Sequence, residues 1–395
     1  HAPQDGGVTV ASLFYLARLN GWLSETGIEI DDEQITPFYA QEVGDFLLSD
    51  DAPKKALVMS NTGTGKTLGA IAKLKALGIP KAVFFAPSVK LCVDLSTTLT
   101  QHGVDNTLYI EGSAIKSYDE FLKAQVLVTT LQSFASRLAK NNADVLKTFA
   151  FVAIDESDEL ISSFVRADVR LRGYGSHIHR SSAQHGIVAL STLIEKSEYC
   201  YLLDGTATRI SLDFANHSAS VPAYRNTYKR DKAPVTRLHS RNEAHQKILE
   251  SISSHKHTVV CADTRKECEV IVGMAQKILD EDQIILFTRL TRNEPKVKAF
   301  FEDVDKGAKD YRLVVYNSSM GSGVSITSVE PANIIQIVTG TVSPRKALQM
   351  INRYRQQGNV YAYVADIEHI YHDPLNNVME RIRELRTNEV RISGL

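Results

Sequence analysis

The run Ser60-Asn61-Thr62-Gly63-Thr64-Gly65-Lys66-Thr67 has the residue types and spacing of a phosphate-binding loop. An apolar run precedes it and a helical pattern follows, which is the setting such a loop requires. Gly63 and Gly65 let the backbone curl so that its N–H groups face phosphate oxygens. The helix that follows adds the positive end of its dipole. Thr62, Gly63, Thr64 and Gly65 are therefore expected to bind the phosphates of ATP, with Lys66 reaching the β- and γ-phosphates and the Thr67 hydroxyl binding Mg2+. Ser60 stands where the general pattern has its first glycine. A glycine-rich turn that merely precedes Lys-Thr is the plainer alternative.

The run Phe151 to Ile154 leads into Asp155-Glu156-Ser157-Asp158. A carboxylate at the carboxyl end of a buried parallel strand lies where open α/β sheets bind ligands. Asp155 is expected to hold Mg2+ and Glu156 to act as general base on the attacking water. An acidic turn by itself is commonly a solvated loop. Downstream of a phosphate loop in the same domain, the catalytic reading leads. A third strand, Tyr199 to Leu203, runs into Asp204-Gly205-Thr206-Ala207-Thr208-Arg209. Gly205, Thr206 and Thr208 could bond to the acidic pair and report the γ-phosphate state, although any strand-to-loop turn has this look.

In the carboxyl-terminal half, Gln349-Met350-Ile351-Asn352-Arg353-Tyr354-Arg355 is expected on a helix capped by Ser343, with Pro344 at its first position. Gln349 and Arg353 share a face, whereas Arg355 points about 160° away from Arg353 on an ideal helix. The two arginines can meet one ligand only if the helix ends or bends there. Arg353 is the first choice for a finger on the γ-phosphate and Arg355 the second. A basic solvated helix face is the alternative. Val314 to Ser325 reads as a strand entering a Gly/Ser loop, whose N–H groups at Gly321 and Gly323 suit phosphate or sugar contacts.

The elements that must position these residues are legible as alternating patterns. Ala56 to Met59, Val83 to Phe85, Val126 to Val128, Phe151 to Ile154 and Tyr199 to Leu203 read as strands. Helical stretches such as Leu68 to Leu77 and Val89 to Leu99 lie between them, so a parallel α/β sheet is expected. A polar, basic stretch from Val221 to Arg241 marks a boundary. Beyond it come Thr258 to Cys261, Ile284 to Phe287, Leu313 to Tyr316 and Ile334 to Val338, with a helix over Val270 to Leu279. At 395 residues, 43% of them hydrophobic and 23% charged, the chain has the make-up of two ordinary globular domains. It lacks any apolar run of membrane-spanning length. The four cysteines are scattered, which argues for reduced thiols in a cytosolic protein rather than zinc. A net charge of −1 excludes a global basic field, so any nucleic acid must be held by a local track. The opening His-Ala-Pro-Gln-Asp-Gly-Gly suggests an excised fragment or tag remnant.

Taken in order, these segments resemble superfamily 2 helicases over roughly Ile35 to Ile367. Ser60–Thr67 looks like motif I, Asp155–Asp158 like motif II, Gly205–Thr208 like motif III, Gly321–Ser325 like motif V and Gln349–Arg355 like motif VI. Phe85-Ala86-Pro87-Ser88 is similar to motif Ia and Thr129-Thr130-Leu131-Gln132-Ser133 to motif Ib. The resemblance implies two RecA-like lobes, each a mostly parallel sheet flanked by helices, with an ATP cleft between them. It implies that Pro87, Ser88, Thr129, Thr130 and Gln132, with Thr264 (motif IV) and Gly321, line the nucleic-acid track, and that Gly323 touches the nucleotide. Tyr39 and Gln41, in Pro37-Phe38-Tyr39-Ala40-Gln41, lie where this superfamily reads adenine; equally, they could be core residues capping the sheet.

The Asp-Glu-Ser box, the Gly-Val-Ser of motif V and the Gln-Met-x-x-Arg-x-Arg spacing resemble the helicase module of herpesvirus origin-binding proteins and of phage and plasmid replication proteins. General members carry Gly at the position of Asn352, Arg at that of Gln356 and Asp at that of Ser325. The stretch Gly7 to Trp22 looks like the helix that follows primase modules, or is an ordinary docking helix.

The expected division is a leader and helix over 1–34, a first lobe over 35–225, a linker over 226–241, a second lobe over 242–370 and a helical tail over 371–395. The expected activity is ATP-dependent, Mg2+-requiring DNA helicase or translocase action in phage, plasmid or viral replication or repair. Single-stranded or forked DNA is the expected partner, with an upstream primase as a further one, no membrane, and a cytoplasmic location. The alternatives are an RNA helicase or duplex-remodelling translocase, and a nucleotide-gated DNA-binding module.

Overall fold

A computed structural model describes residues 32–61, 63–110, 125–139, 143–169, 180–205, 207–228, 234–320, 324–342, 344–356 and 358–365. The expected leader and its helix over 7–22, and the tail from 371, lie outside the described residues. The chain divides into two compact units that meet in sequence near Lys229.

The first unit is built on an eight-stranded parallel sheet. In chain order its strands are β1 (Ile35–Phe38), β2 (Lys55–Met59), β3 (Ala82–Phe85), β4 (Asn106–Tyr109), β5 (Val126–Thr129), β6 (Phe151–Asp155), β7 (Tyr199–Asp204) and β8 (Ala223–Asn226). Across the sheet they run β1-β8-β2-β7-β6-β3-β5-β4. The central strands are short continuous apolar runs because helices cover both faces of a parallel sheet. Leu57 and Met59 bury on one side of β2, Ala56 and Val58 on the other. Pro37 is tolerated because β1 is an edge strand and has no second neighbour needing its missing N–H.

Helices α1 (Val43–Leu48), α2 (Lys66–Leu77), α3 (Val89–Gln101), α4 (Ser157–Val169), α5 (Arg180–Lys196) and α6 (Arg209–Ala219) flank the sheet. α1 and α2 cross where two glycines meet: a Cβ on Gly69 would lie 2.8 Å from Gly44 N and 3.0 Å from Gly44 Cα. Backbone cannot yield there as a side chain can. Gly69→Val is therefore expected to cost about 1–3 kcal/mol and to lower Tm by several degrees, at ~2–4 °C per kcal/mol for a lobe of this size. An unchanged melting curve would show that the two helices separate freely.

The second unit carries a six-stranded parallel sheet in the order β11-β12-β10-β13-β14-β9. The strands are β9 (Val235–Leu238), β10 (Thr258–Ala262), β11 (Ile284–Phe287), β12 (Leu313–Tyr316), β13 (Asn333–Val338) and β14 (Asn359–Val364). With them come α7 (Arg241–Ser253), α8 (Arg265–Ala275), α9 (Pro295–Glu302), α10 (Val304–Asp310) and α11 (Pro344–Ile351). Val259 and Cys261 bury on one face of β10 and Val260 and Ala262 on the other.

Two expectations need correction. The stretch 226–241 is not a plain linker, since it holds the last residue of β8 and all of β9, which pairs in parallel with β14. Only Val235 and Leu238 of β9 are buried, with Thr236 and Arg237 exposed between them, so no period-two pattern marks it. The helix expected over Val270 to Leu279 instead spans Arg265–Ala275, because the Thr264 hydroxyl accepts from Glu267 N and starts it earlier.

All four cysteines are buried. Burial pushes each thiol up to about 12. Among the described residues no cluster of three or more His, Cys, Asp or Glu could hold a metal, and no helix is long and apolar enough to cross a membrane.

Candidate active site

The phosphate loop leaves the carboxyl end of β2 and enters α2. β7 is the immediate neighbour of β2 and β6 lies next to β7, with Met59 level with Asp204 and Leu203 level with Asp155. Three functional segments therefore emerge side by side from one sheet edge, as ligand sites in such sheets do. Gly63 and Gly65 take φ of +82° and +65°, a region that favours glycine. A side chain at Gly65 would also collide with the Glu42 carboxylate.

Ser60 is not a vestige of a missing glycine. Its hydroxyl lies 2.7 Å from Thr64 Oγ1 and accepts from Asn226 Nδ2 at 3.0 Å, while Thr64 Oγ1 donates to Asn61 O at 2.7 Å. Lys66 is buried and donates to Ser60 O at 2.8 Å and Asn61 O at 3.2 Å. Thr62 lies outside the described residues.

The acidic box faces this loop. Burial holds the Asp155 carboxyl above the usual range, while the Lys66 ammonium and a hydrogen bond from the Thr67 side chain oppose the rise. Lys66, Thr67 and Asp155 are thus brought together from α2 and β6. A buried carboxylate beside a hydroxyl at the phosphate loop fits Mg2+, which takes few protein oxygens and shares the rest with phosphate and water. Glu156 sits at φ +48°, an uncommon backbone conformation for a residue with a side chain. Its carboxyl is pushed up to about 8 by burial and by the neighbouring Asp204 and Asp155, with Lys66 pulling the other way.

The third segment is tied to the box through its fourth residue. Asp158 Oδ1 accepts from Thr208 N at 2.8 Å, Thr208 Oγ1 at 2.5 Å and Ser211 Oγ at 2.7 Å. Asp158 N in turn donates to Asp204 Oδ2 at 2.8 Å. Of the expected coupling residues, Thr208 makes this link, Gly205 lies next to Ser60 O, and Thr206 lies outside the described residues. Asp204 and Ser211 were not singled out. An acid at the carboxyl end of a strand was the available signal for Asp204; Ser211 left none.

Tyr39 and Gln41 do not cap the core. Phe38 and Ala40 turn inward, with Phe38 stacked on Phe46 at 4.0 Å between ring centroids, and this alternation leaves Tyr39 70% exposed and Gln41 exposed. On the expected nucleic-acid track, Pro87 and Ser88 are half-buried, and Ser88 caps α3 by accepting from Leu91 N. Thr130 caps the next turn by accepting from Ser133 N at 3.2 Å, and Gln132 is exposed. Thr129 is a correction: it is fully buried, its hydroxyl donated to Thr130 O at 3.1 Å. As the last residue of β5 its side chain points into the flanking layer.

In the second unit the helix bearing Gln349 ends at Ile351 and does not run to Arg355. Ile326 and Tyr354 form a parallel bridge, with Ile326 N donating to Arg353 O and Arg355 N to Ile326 O. Tyr354 is fully buried. In extended backbone, residues two apart share a side, so Arg353 and Arg355 fall together opposite Tyr354. Arg353 Nη1 donates to Val324 O at 3.4 Å and Arg355 Nε to Ser325 Oγ at 2.6 Å. Gln349 is half-buried. Thr264 caps α8; Gly321, Gly323 and Ser343 lie outside the described residues. The carboxyl edge of this sheet also presents exposed Arg289, Leu290 and Arg292. Thr291 Oγ1 fixes their turn by accepting from Thr288 N at 2.9 Å and donating to Leu286 O at 2.7 Å.

Residues 40–197 match the family model described as DEAD/DEAH box helicase. No curated protein matches the chain. Among solved structures, the chain is similar to S. cerevisiae Dbp5 bound to RNA and ADP BeF3, with a TM-score of 0.56 and 15% identity over 86% of this chain and 91% of that one. It is also similar to the DUF1998 helicase MrfA bound to DNA and AMPPNP, with a TM-score of 0.57 and 14% identity over 93% of this chain and 52% of that one. For the Mycobacterium smegmatis helicase Lhr bound to ssDNA and AMP-PNP the values are 0.51 and 14%, over 78% and 44%. The chain thus spans about half of MrfA and of Lhr. At these identities the likeness is one of fold: two parallel sheets flanked by helices, matching the two RecA-like lobes of helicases.

Proposed function

Because residues 40–197 carry a DEAD/DEAH box helicase domain, and the chain is accordingly an ATP-dependent enzyme of helicase type, we propose that it is a superfamily 2 DNA helicase or translocase. Its work would lie in phage, plasmid or viral DNA replication or repair, beside herpesvirus origin-binding modules and alongside a primase. The observation that carries the motor reading is the link from Asp158 to Thr208 and Ser211. It ties the acidic box to the segment after β7, so a change at the γ-phosphate has a rigid path to a second element.

In this reading the loop N–H groups of 63–67 cradle the phosphates, and Lys66 exchanges its carbonyl partners for β- and γ-phosphate oxygens, where charge-assisted bonds are stronger. Thr67 and Asp155 would hold Mg2+, which supplies positive charge to the same oxygens when bound. Glu156 accepts the proton of the water whose oxygen bonds to the γ-phosphorus as the bridging P–O bond breaks. Arg353, with Arg355 second, supplies positive charge to the γ-phosphate. Pro87, Ser88, Thr130, Gln132, Thr264 and Gly321 contact the strand, mainly through backbone phosphates, so the motor is largely sequence-blind. The basic turn at Arg289 and Arg292 provides the local positive charge that a chain of net charge −1 otherwise lacks.

The test is steady-state ATPase with no polymer, single-stranded, duplex and forked DNA, and single-stranded RNA, with Glu156→Gln as control. Strongest stimulation by single-stranded or forked DNA is expected. Stimulation by RNA alone would move the enzyme to RNA remodelling, and no stimulation would favour a nucleotide-gated binding module. Asp158→Ala should keep measurable hydrolysis but lose at least tenfold in strand displacement per ATP consumed. Parallel loss of both activities would reduce Asp158 to a structural residue.

A further inference from the structure

Two tyrosines stand beside the phosphate loop, and one buried amide holds both segments that carry them. Tyr39 follows β1 and Tyr228 follows β8, strands paired in parallel with Phe38 level with Asn226. The two rings meet edge to face, with centroids 5.8 Å apart and planes at 84°. Asn61, in the phosphate loop, donates Nδ2 to Tyr228 O at 3.4 Å. Thr227 donates to Phe38 O from both its N and its Oγ1.

The join is Asn226. Its Oδ1 accepts from Ala40 N at 3.1 Å and Tyr228 N at 3.0 Å. Its Nδ2 donates to Ala40 O at 2.7 Å and Ser60 Oγ at 3.0 Å. All four hydrogen-bonding positions of the amide are used. One side chain therefore fixes the Tyr39–Gln41 segment, the Tyr228 segment and the phosphate loop to one another. An aromatic pair whose role was packing would bury its rings, yet Tyr39 is 70% exposed. Its open ring, braced by a second ring and rigidly spaced from a phosphate loop, has the chemistry of a base-stacking surface.

We infer that Tyr228 is a specificity-determining residue of the nucleotide site, forming with Tyr39 a two-ring corner for the purine base of a nucleoside triphosphate, and that Asn226 is the positioning residue that keeps this corner in register with the phosphate loop. The inference rests on the reading of residues 60–67 as the ATP site. Tyr39 supplies the stacking face and Tyr228 the wall that stops the base sliding off it. Selectivity then comes from ring area and shape, and purine nucleotides bind more tightly than pyrimidine ones.

Calorimetric titration of the full chain with ADP, CDP and inorganic tripolyphosphate, each with Mg2+ and without polymer, separates base from phosphate recognition. Tyr228→Ala is expected to weaken ADP on the order of tenfold, within the range of aromatic stacking, while tripolyphosphate moves by less than twofold. Tyr228→Phe should restore most of the lost ADP affinity. Asn226→Ala should reduce the preference for ADP over tripolyphosphate in the same direction, and adding Tyr228→Ala to it should cost little more, because the two act as one unit. Should Asn226→Ala not fold, the Tyr228→Ala and Tyr228→Phe pair still decides the matter. Equal weakening of ADP and tripolyphosphate in Tyr228→Ala, or unchanged ADP binding, overturns the inference while leaving the ATP site standing. Failure of the unmodified protein to bind ADP at all overturns the site reading itself.

Discussion

Glu156→Gln is expected to lower polymer-stimulated ATP turnover by about a thousandfold, within the range general-base catalysis contributes, while nucleotide affinity stays within a few-fold. The two side chains have the same shape, so the backbone at φ +48° and the neighbouring bonds are kept. What is lost is the lone pair that takes the water's proton. The environment of Glu156 is arranged for that task. Burial and the carboxylates of Asp204 and Asp155 raise its affinity for a proton, to about 8, so a proton taken from water is held more firmly than by an ordinary surface carboxylate. Lys66→Ala makes the informative companion. It removes the ammonium that Ser60 O and Asn61 O hold at the loop, and with it both turnover and ATP affinity. Single-turnover hydrolysis and nucleotide titration on the two variants check the assignment. Near-normal turnover in either would mean that residues 60–67 and 155–156 are not the catalytic centre.

Arg353→Ala should reduce turnover by roughly 10³-fold or more, the scale of an arginine finger, with ATP affinity mostly retained. The argument now has a geometric basis that the helical reading lacked. With the helix ended at Ile351 and Tyr354 buried between them, Arg353 and Arg355 lie on one side of an extended segment. Arg355 donates Nε to Ser325 Oγ at 2.6 Å, whereas the bond from Arg353 Nη1 to Val324 O is long at 3.4 Å and easily exchanged for a phosphate oxygen. Arg355→Ala should therefore disturb the 324–326 segment and lower turnover less steeply. Measured kcat and KM for both variants decide between them. The reverse order would give the finger to Arg355, and a large rise in KM for Arg353→Ala would make it a ground-state binding residue.

Much of this was legible in the chain because chemistry fixed residue types at fixed spacings. The phosphate loop, the Asp-Glu box and the central strands of both sheets read directly, since a strand buried on both faces is a continuous apolar run. The edge strands did not. β1 carries a proline, and β8 and β9 mix charged or polar residues into four-residue runs, so tertiary pairing rather than local preference makes them strands. Asn226 stayed invisible for the same reason. It sits at the end of such a strand, and its partners Ala40 and Ser60 are 186 and 166 positions away. Thr129 was misread because its position in a motif says nothing about which way its side chain turns. The helix bearing Gln349 was drawn too long because nothing in Asn352-Arg353-Tyr354 forbids another turn; only the bridge to Ile326 ends it.

The four buried thiols give the molecule a built-in clock. Cys92 and Cys200 belong to the first lobe, Cys261 and Cys268 to the second, and each must leave its core before a maleimide can reach it. The labelling rate of each pair thus counts the openings of its own lobe, since such exposure requires local or global unfolding. One mass spectrum taken over time would read the stability of both halves separately, in an unaltered chain, and would show which half a bound nucleotide steadies.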